Sequence, residues 1–166
     1  LKTIFEFGCA SGPNLFNIEK NVPWNLYYFG YDISHEAIKF ARKKSNNNSY
    51  YLSNKISSEI FKNKLELWNK NFFDLSIYDR VLYLLSEKEI RSHFEKYKKY
   101  MKNLIIDDFH KPGYSESNMT YCTKNYEIIL IDYGFKLKRN APSEHIMADD
   151  SFFTKNARRL IFEKIS

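Results

Sequence analysis

Apolar positions along this chain alternate between two rhythms, short dense runs and longer stretches in which they recur every three or four residues. Thr3-Ile4-Phe5-Glu6-Phe7 is a β-rich run with two residues before it, so the first predicted strand stands at the start of the chain. Gly8 and Gly12 bracket a tight turn, and Pro13 opens a helix to about Lys20, proline being well tolerated at a first helical position. Tyr27 to Tyr31 reads as a second strand, ended by Asp32. Ser34 then caps a helix from His35 to Lys44, with Ala37, Ile38 and Ala41 at helical spacing.

The triplet Asn46-Asn47-Asn48 marks a turn, and Tyr50 to Ser53 a short third strand. Ser57 to Leu67 reads as helix and Phe72 to Tyr78 as a fourth strand; Leu82 to Leu85 adds a helical turn. Ser86 caps a helix over Glu87 to Met101, with Ile90, Phe94, Tyr97 and Met101 on one face. Asn103 to Asp107 forms a fifth strand, and Lys111-Pro112-Gly113 breaks the chain into a loop. Met119 to Tyr133 reads as helix stopped by Gly134, Phe135 to Arg139 as a sixth strand, and Arg158 to Lys164 as a seventh beyond a polar loop. Such alternation predicts an α/β fold, a mostly parallel sheet covered on both faces, with one antiparallel strand at the end. No repeat or linker interrupts it, so residues 1–166 are expected to form a single domain.

At 166 residues and 43% hydrophobic content the chain can build a real core, for which 14 Phe and 13 Tyr supply much of the area. Lys and Arg exceed Asp and Glu, 26 to 20, but the charge is dispersed, with short clusters at Arg42 to Lys44 and Lys96 to Lys102 on amphipathic segments. Cys9 and Cys122 make no CxxC pair and no zinc spacing, so neither a disulfide framework nor a metal is expected. No apolar run reaches the about 20 residues of a bilayer span, and the expected location is the cytoplasm.

Candidate chemistry begins with Phe5-Glu6-Phe7-Gly8-Cys9-Ala10-Ser11-Gly12, which follows a strand and opens a helix. In open α/β sheets, ligands bind beyond the carboxyl ends of the strands, where glycine lets backbone approach closely. Ala10 stands at the middle glycine position of the dinucleotide pattern. Asp32, at the tip of the second strand, is placed either to accept from two ribose hydroxyls or to cap the following helix.

These segments resemble class I, Rossmann-like S-adenosylmethionine-dependent methyltransferases over essentially the whole chain. Glu6 to Gly12 resembles the family's acidic, glycine-rich first motif, and Asp32 within Gly30-Tyr31-Asp32-Ile33-Ser34 its ribose-binding acid. Phe73 to Leu82 resembles the fourth-strand motif, and Gly134-Phe135 with Arg158 to Glu163 the closing strands. The resemblance implies a seven-stranded sheet in the order 3-2-1-4-5-7-6, strand 7 antiparallel, with helices on both faces. It implies S-adenosyl-L-methionine as cofactor. Backbone around Gly8, Cys9, Ala10 and Gly12 would line its methionine part, and Glu6 would organise the loop or reach the ammonium through water. Asp32 would hold the ribose and Ile33 would pack on the adenine, with Asn54 or Lys55 near its edge. Backbone at Tyr78 or Asp79 would face the methionine end. Members carry a helix or more before the first strand, so a cap helix is expected to be missing here or supplied by a partner chain.

For the acceptor side, His110 after the fifth strand and Asp79 after the fourth are candidate general bases. Cys9 reads as a loop filler, having no basic neighbour in sequence. Asp107 and Asp108 invite a metal, yet adjacent strand carboxylates face opposite ways. Ile77-Tyr78-Asp79-Arg80 stands where enzymes methylating amino groups of bases or glutamine carry Asn/Asp-Pro-Pro-aromatic, and no Pro-Cys nucleophile is present. A small-molecule acceptor, methylated on oxygen or nitrogen and touched by Tyr114 and Tyr121, is therefore expected. RNA or protein transfer and a non-catalytic binding module are the alternatives.

Overall fold

The computed structural model describes residues 1–45, 47, 49–111, 122–143 and 151–165. Its seven strands run in the order β3-β2-β1-β4-β5-β7-β6, and the chain divides into two compact units, Leu1–Ile77 with Tyr100–Lys102, and Tyr78–Lys99 with Asn103–Ser166. Among the described residues no helix is long and apolar enough to cross a membrane.

In the first unit β1 (Thr3–Phe7) pairs in parallel with β2 (Tyr27–Tyr31), which pairs in parallel with β3 (Tyr50–Ser53). Both faces are buried, as the uninterrupted apolar runs require. On one face Phe5, Phe29, Phe61 and Phe73 pack edge-on or tilted, with ring centroids 4.8 to 6.0 Å apart, each pair adding about 0.5–1.5 kcal/mol to the area it buries. On the other, Ile4, Leu15, Tyr28, Ile38, Ala41 and Leu52 enclose Cys9. The helices α1 (Pro13–Asn21), α2 (His35–Lys44) and α3 (Ser58–Leu67) supply the covering side chains. Ser34 and Ser57 cap α2 and α3 by accepting the Ala37 and Ile60 N–H groups.

The second unit starts within β4 (Phe73–Asp79). A 3-10 turn over Leu82–Leu84 leads to α4 (Glu87–Tyr97), opened by a full capping box between Ser86 and Glu89. β5 (Met101–Phe109) pairs antiparallel with β7 (Ala157–Lys164), and β6 (Phe135–Pro142) closes the sheet by pairing antiparallel with β7. Gly134 has φ 80°, the left-handed geometry expected of a residue that ends a helix, and its N–H reaches the Ile131 carbonyl.

Three elements differ from the sequence reading. α4 ends at Tyr97, a 3-10 turn covers Lys98–Tyr100, and Met101 belongs to β5. Met101 is buried, so its apolar spacing continued the helical rhythm while serving a strand. The helix expected from Met119 is α5, Tyr126–Ile131, because the Asn125 side chain accepts the Ile128 N–H and starts it there, while Lys124 forms a parallel bridge with His110. Met119 itself, like Asn46 and Asn48, lies outside the described residues. A short helix, α6 (Ser151–Asn156), stands between β6 and β7, where a polar loop was expected.

Candidate functional site

The turn after β1 is built from residues in left-handed backbone: Gly8 at φ 79°, Ala10 at 45° and Gly12 at 88°. The Gly8 and Cys9 N–H groups both donate to the Tyr31 carbonyl, at 2.7 and 2.9 Å, and the Gly12 N–H donates to Cys9 O. Left-handed backbone costs a non-glycine residue about 1–2 kcal/mol, so Ala10 needs a compensating contact. Asp32 supplies it: Oδ2 accepts the Ala10 N–H at 2.8 Å, and Oδ1 accepts the Ser34 N–H at 2.8 Å. The carboxylate at the tip of β2 thereby holds the glycine turn on one side and the start of α2 on the other.

Glu6, on β1, is 1% exposed and turned inward. Its Oε1 accepts from Asn14 Nδ2 at 2.8 Å, and its Oε2 accepts the Tyr28 hydroxyl. Both donors ride on elements that flank the turn, α1 and β2, so Glu6 ties them to β1. Burial foremost, with the Glu6 charge adding, pushes the Tyr28 hydroxyl far above its ordinary range. The Cys9 thiol is raised likewise by burial first, then by Glu6 and Asp32. It stays protonated and inert, a filler beneath the turn.

Gly30 is the residue of this region that no sequence motif flagged with a role. A Cβ there would meet Leu52 Cδ2 at 2.7 Å, Tyr28 Cε1 at 2.8 Å and Cys9 Sγ at 2.9 Å. Glycine is what lets the turn settle onto β2. The signal was present in the sequence as a glycine inside an otherwise bulky strand.

Beyond Asp32, Ile33 is 85% exposed, an isoleucine with its side chain in the open. The Asp32 N–H donates to Ser53 O at 3.2 Å, and the Ser53 hydroxyl accepts the Lys55 N–H at 3.0 Å, which brings Asn54 beside the tip of β2. A cavity of about 360 Å³ lined by Arg42, Ser45, Asn47, Tyr50, Tyr51 and Leu52 includes none of the expected site residues.

In the second unit, Tyr78 turns its side chain into the core, where its hydroxyl lies 2.9 Å from His93 Nε2 on α4. Its backbone, not its ring, is what remains for a ligand. Asp79 is partly exposed, with Oδ1 3.5 Å from the Arg80 guanidinium. His110 is 3% exposed. Its Nδ1 accepts the Tyr126 N–H at 3.3 Å, and its ring stacks near that of Tyr126 at 6.1 Å. Burial lowers its pKa, the Arg158 charge acts in the same direction, and the Lys124 backbone opposes both. A neutral ring that accepts at Nδ1 carries its proton on Nε2, which is buried and has no partner among the described residues.

Asp107 and Asp108 do not converge. Asp107 Oδ2 accepts from Arg159 Nε at 2.9 Å, whereas Asp108 is held by backbone N–H groups at Leu82, Tyr83 and Phe109. Among the described residues no group of three or more His, Cys, Asp or Glu could hold a metal ion. Tyr114 and Tyr121, the expected acceptor contacts, lie outside the described residues.

Comparison with known proteins places this geometry. No curated protein matches the chain. Solved structures share its fold at low identity. An S-adenosylmethionine-dependent methyltransferase from Aquifex aeolicus matches with a TM-score of 0.66 and 18% identity, over 99% of this chain and 82% of that one. One from Mesorhizobium loti gives 0.66 and 12%, over 98% and 90%. The O-methyltransferase of a trans-AT polyketide synthase multienzyme from Brevibacillus brevis, in complex with S-adenosyl-L-homocysteine, gives 0.70 and 9%, over 99% and 67%. The model of the family described as "Methyltransferase domain" matches residues 1–157. The chain therefore belongs to the methyltransferase domain family and has the fold of class I methyltransferases.

Proposed function

We propose that this protein transfers a methyl group from S-adenosylmethionine to an oxygen or nitrogen of a small-molecule acceptor. The observation that carries the reading is the Asp32 carboxylate clasped between Ala10 and Ser34. A carboxylate offers about four acceptor positions, and the two backbone donors take one on each oxygen, leaving one on each for a vicinal ribose diol. The bare left-handed backbone of Gly8 to Gly12 suits the close approach of the methionine part, and exposed Ile33 offers an apolar surface to an adenine ring. Glu6, with Tyr28 and Asn14 on its two oxygens, serves as the organiser of the turn.

When bound, the cofactor supplies a sulfonium methyl that is already activated for in-line displacement. The protein's share is then alignment, exclusion of water and handling of the acceptor proton. Asp79 is the side chain we assign to accept that proton when the acceptor is an alcohol. His110, with its proton on Nε2, is better suited to donate a hydrogen bond to the acceptor than to take its proton. An amine acceptor needs to arrive deprotonated and requires neither.

A small molecule is favoured over a base or glutamine side chain because Ile77-Tyr78-Asp79-Arg80 replaces the Asn/Asp-Pro-Pro-aromatic motif. The O-methyltransferase neighbour supports the same choice. Net charge of +6 is the one feature that favours RNA.

Calorimetric titration with S-adenosylmethionine and S-adenosylhomocysteine tests the cofactor assignment. Micromolar binding that Asp32→Ala weakens at least tenfold is expected. A folded protein that binds neither, or an Asp32→Ala variant that binds as well as the parent, overturns the reading. Acceptor screening with small alcohols, phenols and amines against a structured RNA then decides the substrate class.

A further inference from the structure

The outer edge of β3 carries a cavity that the cofactor reading does not use. Its lining is Arg42, Ser45, Asn47, Tyr50, Tyr51 and Leu52, all in the first unit. Successive side chains of a strand face opposite ways, so three consecutive residues share this cavity along the edge of the strand. β3 stands at the margin of the sheet, and its register fixes which backbone groups face outward there. Ser49 O and Ser53 O accept the Tyr28 and Asp32 N–H groups, so the odd-numbered residues turn their backbone groups toward β2. Tyr50 and Leu52 turn theirs away from it.

One outward donor and one outward acceptor are already taken. The Tyr50 N–H donates to Asn47 O at 3.0 Å, and Arg42 donates to Leu52 O from Nη2 and, at 2.9 Å, from Nε. A further strand would need those same two groups, so this edge is closed to strand addition. What remains is the Leu52 N–H and the Tyr50 carbonyl, neither with a partner among the described residues. Arg42 engages Leu52 O with one edge of its guanidinium and keeps the Nη1 side uncommitted among those residues. Ser45, the C-cap of α2, holds its Oγ buried with no partner there, and a buried hydroxyl calls for one.

The local charge is positive. No acidic residue is in the lining; Glu19 acts on the Tyr50 hydroxyl from α1, outside it. Lys43 and Lys44 follow Arg42 in the last turn of α2 and offset the negative pole of that helix end, and Lys64 Nζ lies 4.1 Å from the centroid of the Tyr51 ring. We propose that this cavity is a binding site for an oxoanion, a phosphate or carboxylate group, received by the Leu52 N–H, the uncommitted side of the Arg42 guanidinium and the Ser45 hydroxyl. Donors of this kind match a group with several acceptor oxygens, and hydrogen bonds to an ionised partner are the strong ones. The Tyr50 carbonyl suits a hydroxyl carried by the same ligand. At about 360 Å³ the cavity is in the size range of small-molecule sites, so the oxoanion is one group on a larger ligand.

The test is titration of the isotope-labelled protein with sodium phosphate and, separately, with sodium acetate, at an ionic strength held constant with sodium chloride. The readout is the Leu52 amide and the Arg42 Nε resonance. Both should shift and saturate with one of the two anions, and whichever binds more tightly names the group. Arg42→Gln, which keeps a donor for Leu52 O but removes the charge, should weaken that binding about tenfold, and Ser45→Ala about two- to fivefold. Shifts that grow linearly with both anions, or that spread over the Lys43 and Lys44 amides while Leu52 stays still, overturn the site. A folded Arg42→Gln that binds as the parent does overturns it too. Should Arg42→Gln fail to fold, Ser45→Ala decides, and an unchanged affinity there overturns the proposal. No cofactor is present in the experiment, so its outcome is independent of the methyl-transfer reading.

Discussion

Tyr28 donates its hydroxyl proton to Glu6 from the neighbouring strand, with both groups buried beside the glycine turn. A buried carboxylate that loses a donor keeps its desolvation cost, about 1–3 kcal/mol. Tyr28→Phe is therefore expected to lower the unfolding free energy read from urea denaturation by that much, whereas Glu6→Gln with Tyr28→Phe should cost less than the two single changes added together. An additive cycle would mean that the contact is incidental.

Gly30→Ala tests the seat of the turn. The added methyl would collide at once with Leu52, with the ring of Tyr28 and with Cys9. Tyr28 is tethered by its own hydroxyl and cannot swing aside freely. Overpacking of this kind costs about 1–3 kcal/mol, and the displaced turn should weaken S-adenosylhomocysteine binding beyond what the loss of stability explains. A variant with parental melting and affinity would show that the strand yields.

Acid exposes a third prediction. Burial, with a smaller effect of Lys96, lowers His93 to about 3 from an ordinary value near 6.5. Its proton is then bound by the unfolded chain before the folded one, so stability attributable to His93 is present above about pH 6.5 and is lost as pH falls toward 3. Asp108 acts oppositely, since its raised pKa gives a contribution present below its ordinary range and lost as pH rises through about 7. The parent's own profile superimposes both. Comparing it with His93→Phe isolates the first: the stability gap should change by up to about 1.4 kcal/mol per pH unit in that window. A constant gap would mean that His93 takes up its proton without unfolding.

Asp32→Asn provides a finer probe than removal of the side chain. The amide keeps one acceptor oxygen, so either Ala10 or Ser34 loses its partner. Binding should fall between that of the parent and that of Asp32→Ala, as calorimetry would show. Equal loss in both variants would mean that the charge, rather than the clasp, holds the ligand.

Much of this arrangement was legible before any coordinate. The first strand, the glycine turn and Asp32 follow one another within a single supersecondary unit, so local signals carried them. Sheet order followed from the family resemblance and matches the structure. Met101 misled because an apolar residue four places after Tyr97 fits a helix as well as a buried strand. α6 was missed since its six residues are too few for a helical rhythm to register. The Tyr28 hydroxyl on Glu6, the approach of Leu52 and Cys9 to Gly30 and the hold of Asp108 on Leu82 and Tyr83 join residues about 20 or more apart in the chain. A linear reading has no access to those.

β6 lies at the margin of the sheet, where one row of backbone N–H and carbonyl groups meets no strand among the described residues. Lys136, Arg139 and Asn140 are exposed along it, the register shifts between Leu137 and Arg139, and the strand ends on Pro142. Another copy adding itself as an eighth strand would have to align against an irregular template and bring like charges together. That margin guards the folded protein against growth by strand addition at high concentration, and smoothing it with Lys136→Val and Arg139→Val would remove the guard.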